Sequence, residues 1–90
     1  MIKLWGKIVK KNNILQNHVI ELNIDKLTDT KPLLKGIETL CNHFDISNPI
    51  WMNKNTDEIE RINKTRFKAQ HFIEEMEFDY FEIELIHEKI

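Results

Sequence analysis

The chain has 90 residues, 41% of them apolar and 31% charged, with a formal net charge of -2. This is the balance of one soluble globular domain over residues 1–90, and it argues against a dedicated nucleic-acid binder, whose domain is ordinarily basic. A single cysteine, Cys41, excludes an internal disulfide, and no apolar run approaches the roughly 18 residues of a membrane span.

The lone thiol and the lack of an apolar export segment predict a cytoplasmic protein. Fourteen Ile, 11 Lys and 9 Asn stand against one Ala (Ala69), the bias that AT-rich codons produce, so lysine clusters carry less weight than usual. The two ends carry opposite charge. Lys3, Lys7, Lys10 and Lys11 meet no acid in the first eleven residues. Residues 74–88 hold Glu74, Glu75, Glu77, Asp79, Glu82, Glu84 and Glu88 with no lysine or arginine.

Residues 2–9 alternate as a half-buried strand does, with Ile2, Leu4 and Ile8 on one side and Lys3, Trp5, Lys7 and Val9 on the other. Gly6 falls on the core side, at a bulge or a close contact. A three-residue loop, Lys11-Asn12-Asn13, predicts a hairpin to a strand over 14–22. That register sets Ile2 against Leu22, Leu4 against Ile20, Lys3 against Glu21 and Trp5 against Val19. Asp25–Asp29 reads as a loop, with Thr28 or Asp29 capping the helix that follows. Leu33, Leu34, Ile37, Leu40, Cys41 and Phe44 form one apolar stripe of a long amphipathic helix, stopped by Ser47-Asn48-Pro49.

Ile50-Trp51-Met52 is a short extended piece. Asn55 or Thr56 caps a short helix that carries Ile59 and Ile62. A second short helix or turn is expected over 68–75, packing Phe72, Ile73 and Met76. The last strand runs from about Phe78 to His87, with Phe81, Ile83 and Leu85 on one side and Tyr80, Glu82, Glu84 and Ile86 on the other. Opposite charge at the two ends predicts that the first and last strands are neighbours, with Lys3 and Lys7 facing Glu82 and Glu84.

Leu4-Trp5-Gly6, Ile50-Trp51, Arg66-Phe67, Phe72-Ile73-Glu74-Glu75 and Phe78-Asp79-Tyr80-Phe81-Glu82-Ile83 resemble a family of small uncharacterised bacterial proteins. The resemblance covers nearly the whole chain. It implies a self-standing domain and brings no activity, cofactor or catalytic residue.

No motif for catalysis, a metal or a cofactor stands out. Cys41 lies on the apolar stripe, as a small buried hydrophobe does. His18, His43, His71 and His87 lack zinc-site spacing. The chain has only Gly6 and Gly36, so it has no glycine-rich phosphate loop. The carboxylates at 74–79 have the chemistry of a glycosidase pair or a magnesium site, but a solvated loop entering an edge strand looks the same. Arg61, Lys64, Arg66 and Lys68 form a basic run near Trp51 and Phe67, an anion-binding candidate unless nearby acids pair with it.

The expected fold is α+β: a small antiparallel sheet, made of the N-terminal hairpin and the C-terminal strand, packed against one long amphipathic helix and shorter helical segments. The first strand is central. Trp5, Val9, Leu15, Val19 and Tyr80, with Ile86, fall on the sheet face away from that helix. Either residues 56–76 cover them, or a protein partner or second copy does. The expected function is a non-catalytic protein-interaction module working as a homodimer or on a partner. Anionic-ligand or nucleic-acid binding by the basic run is the alternative.

Overall fold

The structure, a computed structural model, describes residues 2–22 and 30–87. It is α+β, with a four-stranded antiparallel sheet and two helices. The strands are β1 (Ile2–Lys10), β2 (Asn13–Leu22), β3 (Lys64–Phe67) and β4 (Tyr80–His87), in the order β2-β1-β4-β3. The helices are α1 (Thr30–Phe44) and α2 (Asn53–Ile62). Among the described helices none is long and apolar enough to cross a membrane.

β1 is central and antiparallel to both β2 and β4, as its charge and alternation predict. The hairpin register matches the expectation over most of its length: Ile2 faces Leu22, Leu4 faces Ile20, Lys3 faces Glu21 and Trp5 faces Val19. The turn differs. Val9 pairs with Ile14 and Lys10 with Asn13, so the loop is Lys11-Asn12 alone, and the extra residue appears as a bulge at Leu15. Both loop residues are left-handed (φ 51° and 65°), the geometry of a type I′ turn, whose twist suits a tight hairpin. Asp79 secures it: its carboxylate accepts the Lys11 N–H at 2.7 Å, and its own N–H donates to the Val9 carbonyl at 2.9 Å.

Cross-strand partners share a face. The register therefore puts Ile2, Leu4, Gly6 and Ile8 with Ile20 and Leu22, with Phe81, Ile83 and Leu85, and with Thr65 and Phe67. On that face α1 lays down Leu33, Ile37, Leu40, Cys41 and Phe44. The chain's two glycines are where it comes closest. A Cβ on Gly6 would meet Leu40 Cδ1 at 2.9 Å, and one on Gly36 would meet Leu22 Cδ2 at 2.7 Å. Gly6 is thus at a close contact, and the bulge lies elsewhere.

At 15 residues α1 is of ordinary length rather than long, and Leu34 lies outside its buried stripe at 43% exposure. It stops before Ser47-Asn48-Pro49. Asp45 turns left-handed (φ 58°), its N–H reaches the Asn42 carbonyl, and the Ile46 N–H reaches that of Cys41. This is a Schellman ending, with Ile46 folded back onto the core. The proposed caps Thr28 and Asp29, and the loop around them, lie outside the described residues.

The 50–76 region differs most from expectation. Ile50-Trp51-Met52 is irregular. α2 starts at Asn53, and Asn55 acts from inside its first turn, its side-chain oxygen accepting the Met52 N–H at 2.8 Å. Ile59 is buried but Ile62 is 51% exposed. β3 was not expected, although Lys-Thr-Arg-Phe alternates as a short edge strand does. Beyond it the only helical turn among the described residues 68–75 is a 3₁₀ turn over Ala69–His71; Phe72 is buried, while Ile73 is 90% exposed. The last strand begins at Tyr80 rather than Phe78.

Ile59, Phe67 and Phe72 join the same cluster as α1 and the inner sheet face, with Trp51, Met76 and Phe78 packed against it. The 50–78 region therefore lies on the same side as α1. None of the cluster comes from Trp5, Val9, Val19, Tyr80 or Ile86.

Candidate interaction surface

The sheet face away from the helices is built by four rows of cross-strand partners: Glu21-Lys3-Ile86, Val19-Trp5-Glu84-Lys64, Asn17-Lys7-Glu82-Arg66 and Ile14-Val9-Tyr80. Its centre is an ion-pair ladder. Lys7 Nζ lies 3.0 Å from Glu82 Oε2 and 3.3 Å from Glu84 Oε1. Arg66 Nε donates to Glu82 Oε1 at 3.0 Å. Two aromatic rings flank it: Lys7 Nζ is 3.9 Å from the Trp5 ring centre, and Arg66 Cζ is 4.5 Å from that of Tyr80. The Trp5 indole N–H donates to Asn17 Oδ1 at 3.3 Å. The first and last strands do bring lysine to glutamate, but Lys7 takes both acids, and Lys3 sits between Glu21 and Ile86.

Lys7 and Glu82 are each 7% exposed although no described helix covers them. Burial alone would push the Glu82 carboxyl up. The hydrogen bonds and charges of Arg66 and Lys7 outweigh it and hold the group below the usual glutamate range. The Arg66 guanidinium is held above its ordinary value, first by its hydrogen bond to Glu82. Both acids of the ladder already have cationic partners.

The partner-surface candidates separate on this face. Trp5 and Tyr80 are half-buried, Val19 is 43% exposed, and Val9 is buried beneath its neighbours. Leu15 is not among them. At the bulge it turns to a hollow with Ile8, Ile46 and Phe78 on the helix side, and Ile14, 50% exposed, takes the place opposite Val9. Ile14 and Leu15 are adjacent apolar residues, so residue type alone does not say which of them faces the helices.

The basic run also divides. Arg61 pairs with Asp57 one turn back on α2, at 3.5 Å on an exposed face. Lys64, Arg66 and Lys68 line an open hollow beside β3, together with Lys54, which the sequence reading did not single out. The hollow measures about 280 Å³, and Glu58 and Glu82 lie in its wall. Glu82 is held by Lys7 and Arg66, and Glu58 accepts the Thr65 hydroxyl at 2.7 Å. Thr65 in turn accepts from buried Asn55 at 2.7 Å, which ties α2 to the edge strand.

Two of the remaining candidates are buried. Cys41 is fully buried, and its thiol is pushed up to about 12 by burial. His71 is also fully buried; its Nδ1 accepts the Lys68 N–H at 3.1 Å, and burial, then the charge of Lys54, lowers its pKa. His18 and His43 stack at 3.8 Å where β2 meets α1. Among the described residues no three His, Cys, Asp or Glu side chains converge as metal ligands. Glu74, Glu75 and Glu77 are exposed and line a surface hollow with Asp45. Comparison with models of protein families, with curated proteins and with solved structures finds no match to this chain.

Proposed function

We propose that the chain is a non-catalytic, cytoplasmic protein-interaction module that works as a homodimer, with the helix-free side of its sheet as the contact side. One observation carries this reading. The helices and the 50–78 segment pack on one side, which leaves Trp5, Ile14, Val19, Tyr80 and Ile86 on the other without a described element over them. Tryptophan and tyrosine suit such a surface because they bury much area and keep a polar tip. The buried ladder beneath them gives the surface a rigid floor. The sequence resemblance to small bacterial proteins belongs to the same reading, since it too implies a self-standing domain without a catalytic residue. Sedimentation equilibrium tests it: mass should rise from one chain to two as concentration rises. A single-chain mass up to the highest attainable concentration would overturn it.

A second reading has its own observation. Lys54, Lys64, Arg66 and Lys68 converge on one hollow whose two acids already have partners. That arrangement suits a phosphate-bearing ligand or a nucleic-acid backbone. Retention on heparin that falls steeply with salt, and falls further in a Lys54→Glu, Lys64→Glu variant, is the expected result. Passage through the column unretained at low salt rejects it.

A further inference from the structure

We infer that the two copies join through the outer edge of β2, pairing it antiparallel with itself about a two-fold axis near Asn17 and making one continuous eight-stranded sheet. The inference rests on the homodimer reading but moves the contact between copies from the helix-free face to the sheet edge beside it.

The two sheet edges are unlike. β3 is four residues long and carries Lys64 and Arg66, and short charged edges resist pairing. β2 is ten residues long, and from Asn13 to Ile20 it has no Lys, Arg, Asp, Glu or Pro. Its outer backbone groups have no partner strand among the described residues. Ile14, Leu15 and Val19 stand there at 50%, 56% and 43% exposure. A long, uncharged, apolar edge is the form that takes up another strand.

The strand also complements itself. A two-fold pairing sets each residue against a residue of the same strand, so an uncharged stretch puts no like charges together. With the axis near Asn17, Ile14 and Val19 of both copies stand along the join on the helix-free face, while the bulge turns Leu15 to the helix side. The one acid of β2, Glu21, then comes beside the partner's turn, which carries Lys11. Only the antiparallel arrangement brings those charges together; a parallel one sets Glu21 beside Glu21. The joined sheet places the two helix-free faces side by side, so that one broad platform replaces two small ones. His18 and His43 hold α1 close beneath β2, on the opposite side from that platform.

The experiment is a charge swap read by sedimentation. Glu21→Lys and Lys11→Glu change exposed side chains at opposite ends of the strand. Each variant alone puts like charges together at both ends of the dimer and should weaken it by about tenfold. Mixed in equal amounts, they restore both pairs in a heterodimer and should recover the wild-type mass. Asn17→Asp provides a separate arm. It keeps an oxygen for the Trp5 N–H, sets carboxylate near carboxylate at the axis, and should also dissociate the dimer. Thermal melts establish that each variant is folded, and the swap still stands if Asn17→Asp is not. Wild-type protein that stays monomeric overturns both this inference and the homodimer reading. A dimer that ignores all three substitutions overturns the β2 edge alone. If Trp5→Glu then breaks that dimer, the contact is face to face and the homodimer reading survives.

Discussion

Glu82 has the most consequential environment of any single residue here. Its carboxylate holds Lys7 and Arg66 at 3.0 Å each, and its side chain is only 9% exposed. Removing the Glu82 carboxylate leaves buried Lys7 with only its longer contact to Glu84 and costs Arg66 its acid. The loss should approach that of breaking a buried pair, about 3–5 kcal/mol. Glu82→Leu should therefore destabilise strongly in denaturant melts, and Lys7→Met added to it should recover much of the loss. Strict additivity of the two would contradict the pairing. The same residue sets an acid response. Its folded pKa lies below the ordinary glutamate value of about 4.3, so in that window the unfolded chain binds a proton that the folded chain refuses. Stability should fall as pH drops from that value through the folded one, and Glu82→Gln should flatten that part of the curve. Cys41 is the quiet counterpart. With its thiol raised to about 12 it carries almost no thiolate at pH 8. It should resist alkylation in the native protein and react promptly in denaturant; equal rates in both would show that the thiol is exposed.

The contact of α1 with β1 is the element on which the fold leans most. Leu40 is fully buried and lies against Gly6, so Leu40→Ala should cost about 2–5 kcal/mol. Gly6→Ala should also destabilise, because the new methyl would meet the buried side chains of Leu40 at 2.9 Å and Phe44 at 3.2 Å. A loss below about 0.5 kcal/mol for Leu40→Ala would mean the helix face is misassigned. This element was legible because its signals are local. A 3.6-residue stripe and period-two alternation in Ile2–Val9 follow from neighbouring residues alone, and the fit of Lys3 to Glu21 from a single hairpin. What escaped notice depended on tertiary structure. β3 is four residues long and exists because β4 pairs with it and Asn55 reaches its Thr65. Leu34, Ile62 and Ile73 are apolar residues at plausible positions that the final packing leaves in water. The bulge that swaps Leu15 for Ile14 arises because a two-residue turn with both φ values positive replaces the three-residue loop, and Lys11-Asn12 gave little warning of it.

For the whole molecule, one-sided packing decides which side of the sheet the described elements leave open. The first and last strands meet through opposite charge, the helices and the 50–78 segment share the other face, and the two sides of the sheet become chemically distinct. The ladder's charges were visible in the sequence as segregated ends, and so were Trp5, Val19 and Tyr80 as a set. Which side the 50–76 region would take was not visible, because Ile59, Phe67 and Phe72 carry no mark of the face they choose. The resulting sheet has a short, basic edge and a long, uncharged one. Amide hydrogen exchange, followed in dilute and in concentrated protein, tests this most directly. Outward-facing amides of Asn13–Glu21 should slow markedly on concentration while those of Lys64–Phe67 keep their rates. Rates in β2 that do not change with concentration would contradict the account.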